Sequence, residues 1–124
     1  MILDNIPRTD PQALARLNRW GGDKLIREMT ALFRTEVPTR LLAVREAVRE
    51  GQCVAAERAA HSLKSSCAQL GAARMRALSE RVEVLSAAGT LGAVGALLDL
   101  LEQEFADFKE WLDRSANGVQ EVEE

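Results

Sequence analysis

The stretch Ala56-Glu57-Arg58-Ala59-Ala60-His61-Ser62-Leu63-Lys64-Ser65-Ser66-Cys67-Ala68-Gln69-Leu70-Gly71 decides how this chain is read. Ala56, Ala60, Leu63, Cys67 and Leu70 recur at three- and four-residue steps, the spacing of one apolar stripe on an α-helix. Gly51 precedes the run and Gly71 closes it, so a helix over 52–70 is predicted. At about 100° per residue, His61, the only histidine, points about 140° away from the stripe and therefore faces solvent. Glu57, Lys64, Ser65 and Ala68 fall within about 60° of it on the same side. The small Ser65 and Ala68 leave room for another macromolecule to approach the imidazole. Lys64 is placed to neutralise negative charge arriving there, which is what phosphoryl transfer to a nitrogen nucleophile needs. The plainer reading stands beside this one: a surface histidine of no consequence, with Lys64 a solvated charge paired to a neighbouring glutamate. Metal binding is the weaker rival, because one His and one Lys do not make a site.

Outward from this helix, glycine and proline punctuate the chain sparsely. Thr9-Asp10-Pro11 reads as a cap followed by proline in the first turn, opening a short helix through Leu14 and Leu17 to about Trp20. Gly21-Gly22 closes it. Asp23 then caps a long segment in which Leu25, Met29, Leu32, Val37, Leu41, Val44 and Val48 recur with helical spacing, and Pro38 is expected to kink or split it. Beyond Gly71, Met75, Leu78, Val82 and Leu85 form a further stripe that stops at Gly89. Thr90 is expected to cap a last helix carrying Val94, Leu97, Leu98, Leu101, Phe105, Phe108 and Leu112, whose start Gly92 and Gly95 weaken. Four long amphipathic segments with short connections predict an all-α fold: an antiparallel four-helix bundle with a short additional N-terminal helix. A single domain over 1–114 is expected, followed by a mobile acidic tail over 115–124, which has no periodicity.

Composition agrees. With 124 residues, 47% hydrophobic and 28% charged, the chain supports one core and is not a disordered sequence. The absence of Tyr, with only three Phe and two Trp, argues against a sheet protein. No apolar run approaches the roughly 20 residues that span a bilayer, and no secretory signal is visible, so a cytoplasmic protein is expected. Cys53 and Cys67 lack metal-site or redox-motif spacing and are expected to be small buried apolar residues. A net charge of −3 has the wrong sign for a nucleic-acid binder. Its distribution is uneven: between Thr39 and Val82 eight basic residues face four acidic ones, whereas from Asp99 onward nine acidic residues face two basic ones. The middle of the chain is therefore the part expected to attract an acidic partner.

The run Ala60-His61-Ser62-Leu63-Lys64-Ser65-Ser66-Cys67-Ala68-Gln69-Leu70-Gly71-Ala72 resembles the signature of histidine-containing phosphotransfer (HPt) domains, the modules of multistep two-component phosphorelays. The shared order is His, any residue, Leu-Lys, small residues and a closing Leu-Gly-Ala. A short first helix followed by four main helices is likewise what that family shows. The resemblance implies that His61 is the phosphoacceptor through Nε2, that Lys64 supports the phosphoryl group, and that Glu83 orients the histidine. It implies response-regulator receiver domains or a hybrid histidine kinase as partners. Mg²⁺ is then expected in the partner receiver domain, and this chain binds no cofactor of its own.

Arg58 is a candidate electrostatic contact to such an acidic partner. Leu14 and Leu17 on the short first helix are candidate hydrophobic contacts, or else cover the end of the bundle. Two positions depart from the pattern: Ser65 stands where Gly is usual, and Gln69 where Asn or a small residue is frequent. No nucleotide-binding motif is present, so phosphate is not expected to come from ATP unaided. Glu57 is the one nearby group that could act as a base for hydrolysis. Monomer is the default expectation. The alternative is an HPt-fold binding module that regulates a kinase or response regulator without phosphotransfer, or an unrelated helical adaptor in which His61 is incidental.

Overall fold

The computed structural model describes residues 5–123, with side-chain surroundings for 5–114. Its elements are α1 (Pro11–Arg49), α2 (Cys53–Leu70), α3 (Ala73–Ala87), a 3₁₀ turn (Leu91–Ala93) and α4 (Val94–Glu123), and no strand occurs among the described residues. Asp10 caps α1, its side chain accepting from the Gln12 amide at 3.0 Å, and Pro11 occupies the first turn, where its missing N–H costs nothing. Gly22, at φ 63° and ψ −155°, is the only residue inside α1 with non-helical torsions. It separates a short arm, 11–21, from the main helix, 23–49, as the glycine pair predicts. The kink expected at Pro38 is not there: helical torsions run through it and the break falls at Gly22. Pro38 is exposed, and its ring fits on the solvent side of the helix.

Cross-helix pairs fix the bundle as antiparallel. On α1 and α4, Arg34 meets Asp113, while Arg45 reaches Asp99 at 2.8 Å and Glu102 at 3.0 Å, so residue numbers rise along one helix as they fall along the other. Ser66 of α2 donates to Glu36 of α1 at 3.1 Å, and Arg74 of α3 lies 3.6 Å from Glu104 of α4. The hydrophobic residues between the helices form one core. Near its α1–α4 seam, Phe33 packs against Phe105 and Phe108 with ring centroids 5.5 and 5.3 Å apart, in the tilted geometry that aromatic pairs favour. Cys67 is fully buried, and burial pushes its thiol up to about 12 despite a hydrogen bond with Ser79. Cys53, expected to be buried, is only half-buried because it opens α2.

The α2–α3 connection is held by the segment ahead of α1. The Asp10 amide donates to the Gly71 carbonyl at 2.7 Å, and the Ala73 amide donates to the Arg8 carbonyl at 3.1 Å. Arg74 Nε donates to the Ile6 carbonyl at 2.8 Å. Glu104, buried on α4, sits between Arg8 at 3.4 Å and Arg74 at 3.6 Å. This shared carboxylate fastens the N-terminal segment, α3 and α4 together.

At the start of α4, Thr90 makes no capping bond, and the weak Gly92 turn is a 3₁₀ turn rather than α-helix. The backbone of α4 continues to Glu123, through most of the stretch read from sequence as a tail. The side chains there lie outside the described residues. No described helix is long and apolar enough to cross a membrane.

Candidate functional site

α2 owes its orientation to the stripe read from sequence: Ala56, Ala60, Leu63 and Cys67 are all fully buried. This leaves His61 on the opposite side, its side chain 61% exposed. Its Nδ1 lies 2.6 Å from Glu83 Oε2 on α3. The other oxygen of the same carboxylate, Oε1, is 2.7 Å from Lys64 Nζ. One carboxylate thus grips both residues, one with each oxygen.

The ionisation of Glu83 is a balance. Burial, with only 18% of the side chain exposed, pushes its carboxyl up, but hydrogen bonds from Lys64 and His61 outweigh burial and hold it below the ordinary value. A carboxylate can only accept hydrogen bonds, so the proton in the 2.6 Å contact belongs to Nδ1. Neutral imidazole carries one ring proton, so the Nε2 lone pair is left free and directed away from Glu83. The result is an exposed imidazole with a fixed tautomer. Its orientation comes from the neighbouring helix, much as an acidic residue orients the histidine of a catalytic triad.

The remaining candidate residues are placed as follows. Ser65 is exposed one turn beyond His61, and its hydroxyl donates back to the His61 carbonyl at 3.3 Å. Tied to its own helix in this way, the extra group lies along the surface of α2. Ala68 and Glu57 are half-buried on the same helix, and Glu57 takes no part in the ion pairs around His61. Arg58 is exposed.

Leu17 is not a surface for a partner. It is 7% exposed and belongs to the core, because the break at Gly22 lets the arm lay its apolar side over the bundle. Leu14 is half-buried against the same core. The arm shows Trp20 to solvent instead, 73% exposed.

Half of the eight basic residues of the middle segment are paired inside the fold. Arg40 pairs with Glu36, Arg45 with Asp99 and Glu102, Lys64 with Glu83, and Arg74 with Glu104. Sequence reasoning missed the Arg8–Glu104–Arg74 cluster and the double grip of Glu83. Each joins residues on different elements, so no local spacing signals it.

Fold and site together define a helical bundle that presents one oriented, solvent-facing histidine. A match to the family described as the Hpt domain spans residues 28–111, and the chain belongs to that family. It is therefore one of the histidine phosphotransfer proteins of phosphorelays. Among solved structures it is similar to histidine-containing phosphotransfer protein B (HptB) from Pseudomonas aeruginosa PAO1. The TM-score is 0.82 at 25% identity, covering 88% of this chain and 94% of that one. It also shares its fold with the histidine-containing phosphotransfer protein MtHPt2 from Medicago truncatula, with a TM-score of 0.79 at 21% identity, covering 94% of this chain and 82% of that one. No curated protein matches it significantly.

Proposed function

We propose that His61 accepts a phosphoryl group from the aspartyl phosphate of one response-regulator receiver domain and passes it to the aspartate of another. The observation that carries this reading is the 2.6 Å contact of His61 Nδ1 with Glu83, which leaves Nε2 free on an exposed face. In the forward step the Nε2 lone pair forms the N–P bond. The bond between phosphorus and the donor carboxylate oxygen breaks, and the carboxylate leaves with the electron pair. The ring becomes a phosphoimidazolium whose Nδ1 proton stays on the Glu83 hydrogen bond. Return or onward transfer reverses these movements, and neutral imidazole is the leaving group.

This chain contributes the positioned nucleophile and, in Lys64, a cation beside it. The partner receiver contributes the acidic pocket and its Mg²⁺. Arg58, exposed three residues before His61, is a contact for that acidic surface. The reading also places the protein in the cytoplasm, where receiver domains and the kinase portions of hybrid sensors work.

The test is transfer from a panel of phosphorylated receiver domains to the wild type and to His61→Gln. The expected label is acid-labile, alkali-stable and absent from the variant. A receiver that binds the protein but transfers nothing in either direction would instead support a regulatory binding module.

A further inference from the structure

The two oxygens of Glu83 make different contacts, and the phosphorylated state sets them against one another. Lys64 is committed to Glu83 at 2.7 Å, so a phosphoryl group arriving on Nε2 meets a cation that already has an anionic partner. Nδ1 is committed to the same carboxylate at 2.6 Å, so its proton is held while phosphorus is on the opposite nitrogen. We propose that Glu83 limits how long the phosphoryl group stays on His61. One oxygen keeps Nδ1 protonated, so that neutral imidazole remains the leaving group, while the other competes with the phosphoryl group for Lys64. The inference rests on His61 being the phosphoacceptor.

The chemistry of the leaving group gives the first half its force. If the phosphorylated ring keeps its Nδ1 proton, breaking the N–P bond releases neutral imidazole. If the proton is lost, the same bond must release an imidazolate anion, a far poorer leaving group. A full negative charge within hydrogen-bonding distance favours the protonated form. Other charged residues lie near the site on the same two helices. Glu57, Arg58 and Lys64 lie within one turn of His61 on α2, and Glu80 lies one turn before Glu83 on α3, with Arg76 a further turn away. Of these, only Glu83 and Lys64 take part in the site's ion pairs.

Glu83→Gln isolates the charge. The amide oxygen can still accept from Nδ1–H and hold the ring, but the side chain no longer opposes the phosphoryl group for Lys64. Wild type and variant are loaded with phosphoramidate, a small phosphodonor that needs no partner, and the phosphohistidine signal is followed by ³¹P NMR. The expected result for Glu83→Gln is a phosphohistidine at least about threefold longer-lived. A Lys64→Ala change should then shorten the lifetime more in the Glu83→Gln background than in the wild type, since only there is Lys64 wholly available to the phosphoryl group.

An unchanged or shorter lifetime in Glu83→Gln would overturn the inference and leave phosphotransfer by His61 intact. Failure of the wild type to take label on His61 from either phosphoramidate or receivers would remove the functional reading itself. Circular dichroism of each variant separates these results from misfolding.

Discussion

Gly71 and Asp10 meet backbone to backbone. The Gly71 carbonyl accepts from the Asp10 amide at 2.7 Å, and a Cβ built on Gly71 would lie 2.4 Å from the Asp10 carbonyl oxygen. It would also lie 2.9 Å from Ala13 Cβ. Gly71 has φ 75°, so glycine is required there twice, once for its torsion and once for the close approach of the N-terminal segment. The Leu-Gly-Ala that ends the histidine motif is thus the point where the segment before α1 docks onto the bundle.

Replacement of Gly71 by Ala is therefore expected to be costly. The left-handed torsion costs about 1–2 kcal/mol for a residue with a Cβ, and forcing apart two packed backbones adds about 1–3 kcal/mol. Gly51 is the internal control, with φ 71° and nothing within 4 Å of a built Cβ, so Gly51→Ala should cost the torsional part alone. Urea unfolding of both variants measures the difference. Equal losses would mean that the N-terminal segment yields without cost.

Much of the site is legible in the sequence. The outward direction of His61 follows from the stripe on its own helix, because a helix with one buried face dictates where every other side chain points. The stops at Gly51, Gly71 and Gly89 were legible for the same local reason. What local spacing does not carry is register between helices. Glu83 entered through a family resemblance and not through periodicity, and its second contact, to Lys64, depends on how far α3 slides against α2. Leu17 stayed open between its two readings for another reason: an apolar residue on a short helix reads alike whether it covers a core or awaits a partner.

Pro38 is the other place where a local rule gave way. It keeps helical torsions inside α1 with no N–H to donate to the preceding turn. Pro38→Ala is expected to stabilise the fold by about 1 kcal/mol or more. The helix-interior penalty of proline, about 3 kcal/mol, exceeds the roughly 1 kcal/mol by which proline restricts the unfolded chain. A higher midpoint in thermal unfolding checks this. A lower one would show that packing around the ring matters more than the missing hydrogen bond.

Glu83 links the site to stability through pH. Its carboxyl titrates below its ordinary 4.5 in the folded protein, because the bonds from Lys64 and His61 outweigh the upward push of burial. A group whose folded value is depressed stabilises the native state above its unfolded value, and that contribution disappears as pH falls through the folded value. The wild type should therefore be more stable than Glu83→Gln at neutral pH, and the gap should close progressively below about pH 4.5. Denaturant unfolding across that range measures it. A gap independent of pH would assign the effect of the substitution to shape and not to charge.

Ser65 is the sharpest departure from the family pattern, and its hydroxyl, folded back on the His61 carbonyl at 3.3 Å, suggests how it is tolerated. Ser65→Gly removes that bond and puts glycine in the middle of α2, which should cost about 0.5 kcal/mol of stability. The same change clears the surface one turn beyond His61, where an approaching receiver would have to fit. Because the Ser65 hydroxyl bonds only to the His61 carbonyl and takes no part in the contacts of Glu83 with the ring and Lys64, the intrinsic reactivity of the histidine toward phosphoramidate should not change. If the hydroxymethyl group hinders docking, transfer from a phosphorylated receiver should speed up through a lower KM, with kcat held. A change in reactivity toward phosphoramidate would instead mean that the Ser65 bond helps set the position of the imidazole through the backbone of α2.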